Sequence, residues 1–438
     1  MKTEERKAPR RLGASLRLSL LALLTLSAAS GAPRPALAGI SGALQRHADH
    51  ADTGGCPGKV AAQYGIRTTK NRSTAWAVDT MPAVAAFSAD NAWVAGYASP
   101  AVYVRNLTPL NQTISLIEHW DGQRWCVAAH TEQHTGKFLG LAGVTAADIW
   151  AVGVLQTDSG PVFLEHWDGH AWSMVRLPAG PSYGNPRSLI AASSARNVWL
   201  YGLPNGSVSV VEHWDGQQWR SANAGLPPST RDLWTALTTR SASDTWAATL
   251  SPNRDLLQPP AVLHWDGIRW RQMVLPPQAD DRREVTIDAL APLSSSDVWA
   301  VGDYQVGSGL LSGGPIAFHW NGRTWSQVSV PNDPRAAGPG SDVPGWGLGA
   351  IAVLSPTNIL AMGSGGTAHP VRWNGHAWVT PTAPLDAPTV RHRSISSISV
   401  ASPANIWAAE FGPVQYGPLV VNHWDGHHWN ALSLVPAG

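Results

Sequence analysis

One short motif, His-Trp-Asp-Gly-x-x-Trp, occurs seven times along the chain, and its first tryptophan recurs every 47 to 55 residues. Two copies have Asn in place of Asp (Asn321 and Asn374), and one has Arg372 in place of His. The first tryptophans of the copies are Trp120, Trp167, Trp214, Trp265, Trp320, Trp373 and Trp424. A period near 50 residues indicates a repeat architecture in which each unit buries its surface against its neighbours.

A second motif, Asp/Asn-x-Trp, precedes each copy of the first. Its aromatic positions are Trp93, Trp150, Trp199, Trp246, Trp299, Leu360 and Trp407. The two motifs together hold 20 of the 23 tryptophans, so the aromatic excess belongs to the repeat. A sugar-stacking surface is one interpretation of these rings. We favour packing between repeats, where each ring would bury about 150–250 Å².

The copy from Leu139 to Pro178 shows the local structure expected of one repeat. Four short apolar segments are separated by turn residues, including Asp148 and Asp168-Gly169, and none has a helical period. Such a unit is typical of a propeller blade, and seven blades can close into a ring without exposed sheet edges. The sequence therefore predicts an all-β fold, a seven-bladed β-propeller of four-stranded antiparallel blades that forms one domain over residues 73–438.

The stretch from Trp150 to Arg187 resembles the kelch repeat of galactose-oxidase-like propellers. It has a strand followed by Gly153, an aromatic pair five residues apart, Leu-Pro and then Arg. The resemblance covers roughly residues 82–436. It departs from kelch because each repeat has one glycine where kelch has two, and because Trp replaces the usual Tyr. It implies a divergent secreted propeller and says little about function, since a fold does not fix a function.

The first 38 residues are typical of an export signal. A basic leader precedes an apolar stretch from Leu18 to Ala29, and Ala36-Leu37-Ala38 provides a cleavage pattern. The stretch is shorter than the about 20 residues that cross a bilayer, which predicts cleavage rather than a membrane anchor. Arg10-Arg11 leaves a twin-arginine route open beside the general one. We expect a secreted, extracellular protein with a flexible entry segment over residues 39–72.

The charge balance argues against nucleic acid as a partner. Lys plus Arg number 31 and Asp plus Glu number 30, which gives a net charge of +1. A nucleic-acid binder needs a positive field to neutralise phosphates, and the chain as a whole has none. We expect a monomer whose partner is a glycan or a protein.

Cys56 and Cys126 are the only two cysteines. An exported protein can oxidise them, and we predict a disulfide that links the entry segment to the outer rim of the first blade. The alternative is two free thiols. A copper–radical oxidase like galactose oxidase would need a cross-linked Cys–Tyr pair in its pocket, and a cysteine on a rim strand cannot serve.

The repeated His-x-Asp could be interpreted as a metal or acid–base site, but the repeats themselves argue against this. Asp becomes Asn twice and His becomes Arg once, and residues spread one per blade cannot converge on one ion. Asp-Gly and Asn-Gly are the pairs that tight hairpins prefer, and the Asx of the second motif suits an Asx turn. We therefore predict structural roles for these residues, with no metal, no cofactor and no catalytic residue.

The predicted loops divide into two groups according to the end of the propeller at which they lie. The short Ser-x-x-Asp and Asp-Gly turns lie at one end and are alike in every copy. The loops at the other end vary, since 97–113, 303–315 and 331–346 are long and 203–207 is short. Variable loops on a rigid frame are where binding usually occurs.

A basic residue lies where the chain leaves the variable loops and enters a first strand in five copies. These residues are Lys137, Arg187, Arg231, Arg283 and Arg393. Trp346 takes this place in the sixth copy, and Trp234 is a second aromatic candidate for a ligand-facing ring. Salt bridges within the loops are one interpretation. The other is a ring of cations that binds an acidic sugar or a carboxylate-bearing peptide, because Arg pairs bidentately with carboxylate.

The leading functional hypothesis is a secreted, non-catalytic binding module or scaffold. The alternative is an extracellular glycan-processing hydrolase or lyase that uses carboxylates of the variable loops. Its candidates are Asp280, Asp281, Glu284 and Asp303. Two such carboxylates would need to stand about 5–10 Å apart across a glycosidic bond.

Residues 73–82 present a question about ring closure. Ser73 to Pro82 looks like a fourth strand, yet Trp429 to Leu434 already provides one for the last blade. We expect the N-terminal strand to add to the last blade as an extra edge or to compete for its outer position, so that deletion of residues 39–82 would cost stability without abolishing folding.

Overall fold

The computed structural model contains seven antiparallel sheets of four strands each, and every sheet follows chain order. This confirms the predicted seven-bladed propeller. The structure describes residues 76–100, 114–130, 136–155, 162–177, 189–202, 210–226, 234–250, 260–277, 283–306, 313–331, 347–364, 370–381, 394–411 and 420–434.

Each blade begins with the strand nearest the axis of the ring and ends with the outermost strand. Blades 1 to 3 comprise β1 (Trp76–Ser88), β2 (Asn91–Pro100), β3 (Ile114–Trp120), β4 (Trp125–His130), β5 (Gly136–Thr145), β6 (Asp148–Leu155), β7 (Val162–Trp167), β8 (Trp172–Val175), β9 (Leu189–Ser194), β10 (Asn197–Gly202), β11 (Val210–Trp214) and β12 (Trp219–Ser221). Blades 4 and 5 comprise β13 (Trp234–Ser241), β14 (Asp244–Thr249), β15 (Val262–Trp265), β16 (Trp270–Met273), β17 (Arg283–Ser294), β18 (Asp297–Val306), β19 (Gly313–Trp320) and β20 (Trp325–Val328). Blades 6 and 7 comprise β21 (Gly347–Ser355), β22 (Asn358–Ser364), β23 (Val371–Trp373), β24 (Trp378–Val379), β25 (Ser394–Ser402), β26 (Asn405–Phe411), β27 (Val420–Trp424) and β28 (Trp429–Ser433).

The ring closes because each first strand lies against the first strand of the next blade, and β25 of blade 7 lies against β1 of blade 1. The buried apolar residues form seven clusters among the described residues, and each cluster spans one boundary between blades. A single blade therefore has no core of its own, which is why the seven copies must fold as one unit.

The tryptophans form the most regular part of these boundaries. In six of the seven His-Trp-Asp-Gly-x-x-Trp copies, the second tryptophan packs edge-on against the second-strand tryptophan of the preceding blade, and in the seventh copy Trp429 packs in one cluster with Leu360. Trp125 meets Trp407 at 5.8 Å between ring centroids and 86° between planes, and Trp378 meets Trp299 at 5.3 Å and 89°. The second-strand tryptophans are at most 4% exposed. The structure therefore confirms packing, rather than a sugar-stacking surface, for these rings.

Two turns of each blade touch at the same end of the propeller, and glycine is required at their contact. Gly122 of the β3–β4 turn has φ of 94°, and a Cβ placed there would lie 2.8 Å from the Cβ of Asp90 in the β1–β2 turn. The Asp-Gly pairs recognised in the sequence are thus both the hairpin turns and the points where neighbouring turns meet.

The expected role of residues 73–82 is wrong. Residues 76–82 are the first half of β1, which pairs with β2 from Trp76 opposite Pro100 to Ser88 opposite Asn91. Pro82 had suggested a strand end, but the register slips between Thr80 and Ala83, and a proline is tolerated at such a bulge. Blade 7 keeps β28 as its own fourth strand, so no strand is surplus. Deleting residues 39–82 would remove half of β1.

The predicted signal peptide over residues 1–38 and the entry segment over residues 39–72 lie outside the described residues. Within the described ranges, no helix is long and apolar enough to span a bilayer.

Candidate functional site

The repeated Asx, Trp and His residues contact one another as a unit in six of the seven blades, and blade 6 has Leu360 and Arg372 in place of the Trp and His. In blade 3 the Oδ1 atom of Asn197 accepts from Trp199 Nε1 at 2.9 Å and contacts His213 Nε2 at 2.7 Å. The His213 ring stacks on the Trp199 ring with centroids 4.5 Å apart. Equivalent contacts between histidine and Asx link His119 with Asn91, His166 with Asp148, His264 with Asp244, His319 with Asp297, and His423 with Asn405.

In blades 3 and 4 the remaining polar atom of the Asx residue is also bonded, and its partners differ between the Asn and the Asp. Asn197 Nδ2 donates to Ser193 Oγ at 2.7 Å and, across the blade boundary, to Thr239 Oγ1 at 2.9 Å. Asp244 Oδ2 instead accepts from Arg240 Nη1 at 2.9 Å. These units are internally satisfied. Among the described residues, no group of His, Cys, Asp or Glu side chains could hold a metal ion.

The aspartates of the third-to-fourth turns cap their own hairpins. Asp215 Oδ1 accepts from the N–H groups of Gln217 and Gln218 at 2.9 Å each, and Oδ2 accepts from Arg220 Nε at 2.8 Å. The N–H of Gln218, then that of Gln217 and the Arg220 side chain, lower the pKa of Asp215 to about 2. Asn321 and Asn374 make the same two backbone contacts through Oδ1, which explains why Asn can replace Asp here.

These turns define the face of the propeller that is constant, which we call the turn face. Two residues separate the first and second strands in every blade, and four separate the third and fourth. The opposite end, the loop face, holds the connections between second and third strands and between blades. There the connections between second and third strands differ in length, from short ones such as 307–312 to the long 101–113. Those between blades also differ, from the short 131–135 to the long 329–346. All variation in connection length is therefore on the loop face.

The structure places two of the five predicted basic residues on strands. Lys137 is the second residue of β5, and its Nζ lies 4.7 Å from the centroid of the Tyr97 ring of blade 1. Arg283 is the first residue of β17. Both lie at the loop-face ends of first strands, as the sequence predicts. Arg187, Arg231 and Arg393 lie outside the described residues.

Lys137 and Arg283 do not hold equivalent positions within their blades. Lys137 directly precedes Phe138, which pairs with Gly153, whereas Arg283 lies four residues before Ile287, which pairs with the equivalent Gly302. At about 3.3 Å per residue, their backbones differ in height by about 10 Å. The basic residues share a face of the propeller but not a level on it.

The prediction that Trp234 faces a ligand is corrected by its burial. Its side chain has 0% exposure, stacks on Tyr201 with centroids 4.8 Å apart, and meets the edge of Trp270 at 5.1 Å. The structure assigns this ring to packing between blades 3 and 4. The cause is Tyr201, which offers an aromatic face where other second strands carry small or aliphatic residues. The other aromatic candidate, Trp346, lies outside the described residues.

The carboxylates of the alternative hypothesis fall in blade 5. Glu284 is partly buried near the start of β17, and Asp303 lies on β18 opposite Thr286. Asp280 and Asp281 lie outside the described residues.

Sequence reasoning missed a set of carboxylates on the third strands. Glu118, Glu165 and Glu212 each precede the motif histidine in blades 1 to 3, and they face the preceding blade. Glu118 and Glu212 are 1% and 5% exposed. Burial raises the pKa of Glu165 to about 7. The equivalent residues of blades 4 to 6 are the apolar Leu263, Phe318 and Val371. The signal in the sequence was therefore a glutamate at a position that is apolar in other copies of the motif.

Cys126 lies on β4, the outermost strand of blade 1, where the sequence predicts it, and it is disulfide-bonded. Cys56, the only other cysteine of the chain, lies outside the described residues.

No protein-family model matches the chain, and no curated protein matches it. Solved structures with similar folds include YCF48 bound to a D1 peptide, with 15% identity, 78% of this chain and 95% of that chain covered, and a TM-score of 0.48. YCF48 from Cyanidioschyzon merolae is 13% identical over 78% of this chain and 97% of that one, with a TM-score of 0.47. An Aleuria aurantia lectin in complex with Fucalpha1-6GlcNAc is 12% identical over 70% of this chain and 96% of that one, at 0.40. Likenesses at this level carry no information about the function of this chain.

Proposed function

We propose that the protein is a secreted, non-catalytic propeller that binds an anionic ligand, an acidic glycan or a carboxylate-bearing peptide, through its loop face. The observation that carries the proposal is the contrast between the two faces. Turn lengths are identical in all seven blades on the turn face, whereas connection lengths differ from blade to blade on the loop face. A rigid frame that presents diverse loops at one end is the usual arrangement of a binding protein.

The polar residues of the repeat support binding rather than catalysis as the role of the frame. The histidines bond to Asx side chains and the turn aspartates cap hairpins. The polar residues of the repeated motif therefore have structural roles. Function is then expected from parts of the chain that differ between blades, and the connections that differ in length are those of the loop face. The kelch-like relationship and the export signal are part of this proposal.

The sign of the ligand charge follows from the residues at the loop-face ends of first strands. Lys137 and Arg283 both lie there, and first strands surround the axis of the ring. Basic residues at this end of the propeller favour a negatively charged ligand. An Arg–carboxylate pair that is shielded from water is worth about 1.5–3 kcal/mol, so two or three pairs could support micromolar affinity.

The test is a binding titration of the mature protein against polygalacturonate, alginate, heparin and a neutral glucan. We expect binding to the polyanions that weakens as salt rises, since exposed charges are screened. Arg231→Ala with Arg393→Ala, and separately Lys137→Ala, should weaken it. Arg269→Ala with Arg323→Ala, which removes two exposed cations from the turn face, is the matched control and should not.

Two outcomes would overturn the proposal. Binding that ignores salt and both loop-face variants, or an absence of binding to every polyanion, would exclude an anionic ligand at this face. A parallel assay for glycan cleavage addresses the alternative function. Turnover that disappears in Asp280→Ala or Asp303→Ala would replace binding with hydrolysis or lyase chemistry.

A further inference from the structure

The boundary between blades 7 and 1 differs from the other six in a pair of hydrogen bonds. The N–H of Val84 donates to Ser397 Oγ at 3.3 Å, and the N–H of Ala86 donates to Ser399 Oγ at 2.9 Å. Both bonds join residues 313 positions apart, from the first strand of the chain to the first strand of its last blade. They connect the two ends of the propeller directly.

The donors are buried backbone groups on the free edge of β1. This strand pairs with β2 on one side and has no strand on the other, so its alternate N–H groups point away from the sheet. Val84 and Ala86 are 5% and 8% exposed. A buried N–H without an acceptor is unfavourable because it has lost its hydrogen bond to water, so these hydroxyls satisfy groups that need a partner.

The register shows that serine is special to blade 7 at these two positions. Ser399 lies opposite the second-strand tryptophan Trp407, and Ser397 lies opposite Ala409. The residues equivalent to Ser399 in blades 1 to 6 are Ala85, Ala142, Ala191, Thr238, Ala291 and Ala352. Those equivalent to Ser397 are Ala83, Gly140, Leu189, Ala236, Ala289 and Ala350. Hydroxyls occupy both positions only where the last blade meets the first.

Among these equivalent positions, blade 4 has the one other hydroxyl, that of Thr238. The neighbouring blade 5 lacks the backbone N–H that would donate to it. Thr238 faces blade 5, where the residue equivalent to Ala86 is Pro292. Proline has no backbone N–H, so the Ala86–Ser399 contact cannot be repeated there.

The topology explains why this boundary needs an additional contact. Each sheet is built from four consecutive strands, so no strand from one terminus completes the blade of the other. Every other pair of neighbouring blades is joined by the chain itself. Among the residues that the structure describes, the boundary between blades 7 and 1 is held by side-chain packing and by the hydrogen bonds that cross it.

We infer that Ser397 and Ser399 form a closing latch that holds blade 7 to blade 1 in place of strand exchange. The latch fixes β1 against β25 through its backbone, which packing alone does not do. It keeps the ring closed independently of any ligand, so its test does not depend on the proposed function.

The experiment measures hydrogen exchange of the Val84 and Ala86 amides, together with the melting temperature, in the full mature chain. Ser397→Ala with Ser399→Ala should accelerate exchange at Val84 and Ala86 by about fivefold or more, the factor that corresponds to a net hydrogen bond of 1 kcal/mol. It should also lower the melting temperature. Ser397→Thr with Ser399→Thr keeps both hydroxyls and should restore slow exchange, and Thr238 of blade 4 occupies the position equivalent to Ser399.

The matched control is Ser396→Ala with Ser402→Ala, which removes two hydroxyls from the same strand. Ser396 donates to Ala409 O within blade 7, and Ser402 is exposed at the strand end. Unchanged exchange at Val84 and Ala86 in the double alanine variant would overturn the latch. So would an equal change in the control. If the double variant does not fold, each single alanine variant gives the same exchange measurement at its own amide.

Discussion

Arg372 Nε donates to Asn358 Oδ1 at 2.7 Å in blade 6, at the place where the other six blades use a histidine. The residue opposite Arg372 across the strands is Leu360, which replaces the tryptophan on which that histidine stacks elsewhere. Two departures that look independent in the sequence are therefore one structural change. An arginine reaches the Asx oxygen without needing an aromatic ring beneath it.

The first prediction concerns this pair. Leu360→Trp combined with Arg372→His should be less destabilising than the sum of the two single changes, by about 0.5–1.5 kcal/mol, because only the double variant rebuilds the stacked ring pair. Denaturant unfolding of the four proteins measures the coupling. Trp407→Leu with His423→Arg in blade 7 is the reverse control. Purely additive effects would show that the two positions are independent.

The second prediction concerns the charge state of the motif histidines. Burial lowers the pKa of His213, His119 and His423, and each contacts an asparagine. Asn197→Asp places a carboxylate 2.7 Å from His213 and should raise the pKa of that histidine, since an opposite charge favours the protonated form. Histidine titration by NMR measures it, and His423 should keep its value in the same variant. An unchanged pKa of His213 in the Asn197→Asp variant would contradict the contact between His213 and residue 197.

The third prediction follows from the raised pKa of Glu165, about 7 against 4.5 for the ordinary side chain. A carboxyl whose pKa is raised on folding favours the folded state at low pH, and that advantage is lost as the pH rises through 7. The loss begins at the ordinary pKa of 4.5, so Glu165→Gln should stabilise the protein by about 1–3 kcal/mol at pH 8 and have little effect near pH 4. Melting curves at both pH values test this, with Glu284→Gln as the control. A pH-independent effect of Glu165→Gln would rule out titration as its cause.

The fourth prediction concerns the hairpin caps. Asp215→Ala removes the acceptor of two backbone N–H groups and should lower the melting temperature, whereas Asp215→Asn should change it less, because Asn321 and Asn374 cap equivalent turns. The lowered pKa of Asp215 stabilises the folded state above the ordinary pKa of aspartate, and this contribution is lost as the pH falls through 3.8 toward 2. The difference in melting temperature between Asp215→Ala and the parent protein should therefore become smaller as the pH falls from 3.8 toward 2. If Asp215→Ala and Asp215→Asn lowered the melting temperature equally, the hydrogen bonds from the two backbone N–H groups would contribute nothing to stability.

The fifth prediction concerns the disulfide of Cys126. Pairing with Cys56 would close a loop of about 70 residues, and removing such a link costs about 2–4 kcal/mol. Cys56→Ser with Cys126→Ser should show that loss in denaturant unfolding, and a reducing agent should affect the parent protein but not the variant. Peptide mapping without reduction tests the pairing itself. A free thiol at Cys56 in the mature protein would contradict it.

The architecture could be read from the sequence because the repeat is marked at fixed points. The Asp-Gly pairs, the tryptophans five residues apart and the Asx before the second-strand tryptophan all follow from local requirements, namely positive φ, ring packing and turn capping. Each requirement is met within a few residues, so it leaves a pattern that recurs. The number of blades followed from counting that pattern.

The sequence was misleading where a local signal had more than one structural meaning. Pro82 indicates a strand end by composition, but it sits at an irregularity inside β1. Trp234 stands outside the repeated motifs, which suggested a ligand-facing ring, yet Tyr201 of the neighbouring blade covers it. In both cases the deciding contact comes from another strand, at least 12 positions away in the chain, and a short window of sequence does not contain it.

The sequence by itself determined the strand pattern, the turn chemistry and the closed ring of seven blades. Only the tertiary structure decided which residues face which blade. It paired Leu360 with Arg372, brought three glutamates into consecutive blade boundaries, and set Ser397 and Ser399 against the backbone of β1. The physical reason is that a repeat fixes what neighbouring blades share, whereas the contact between the first and last blades occurs once and depends on serine hydroxyls that accept from backbone N–H groups 313 residues away.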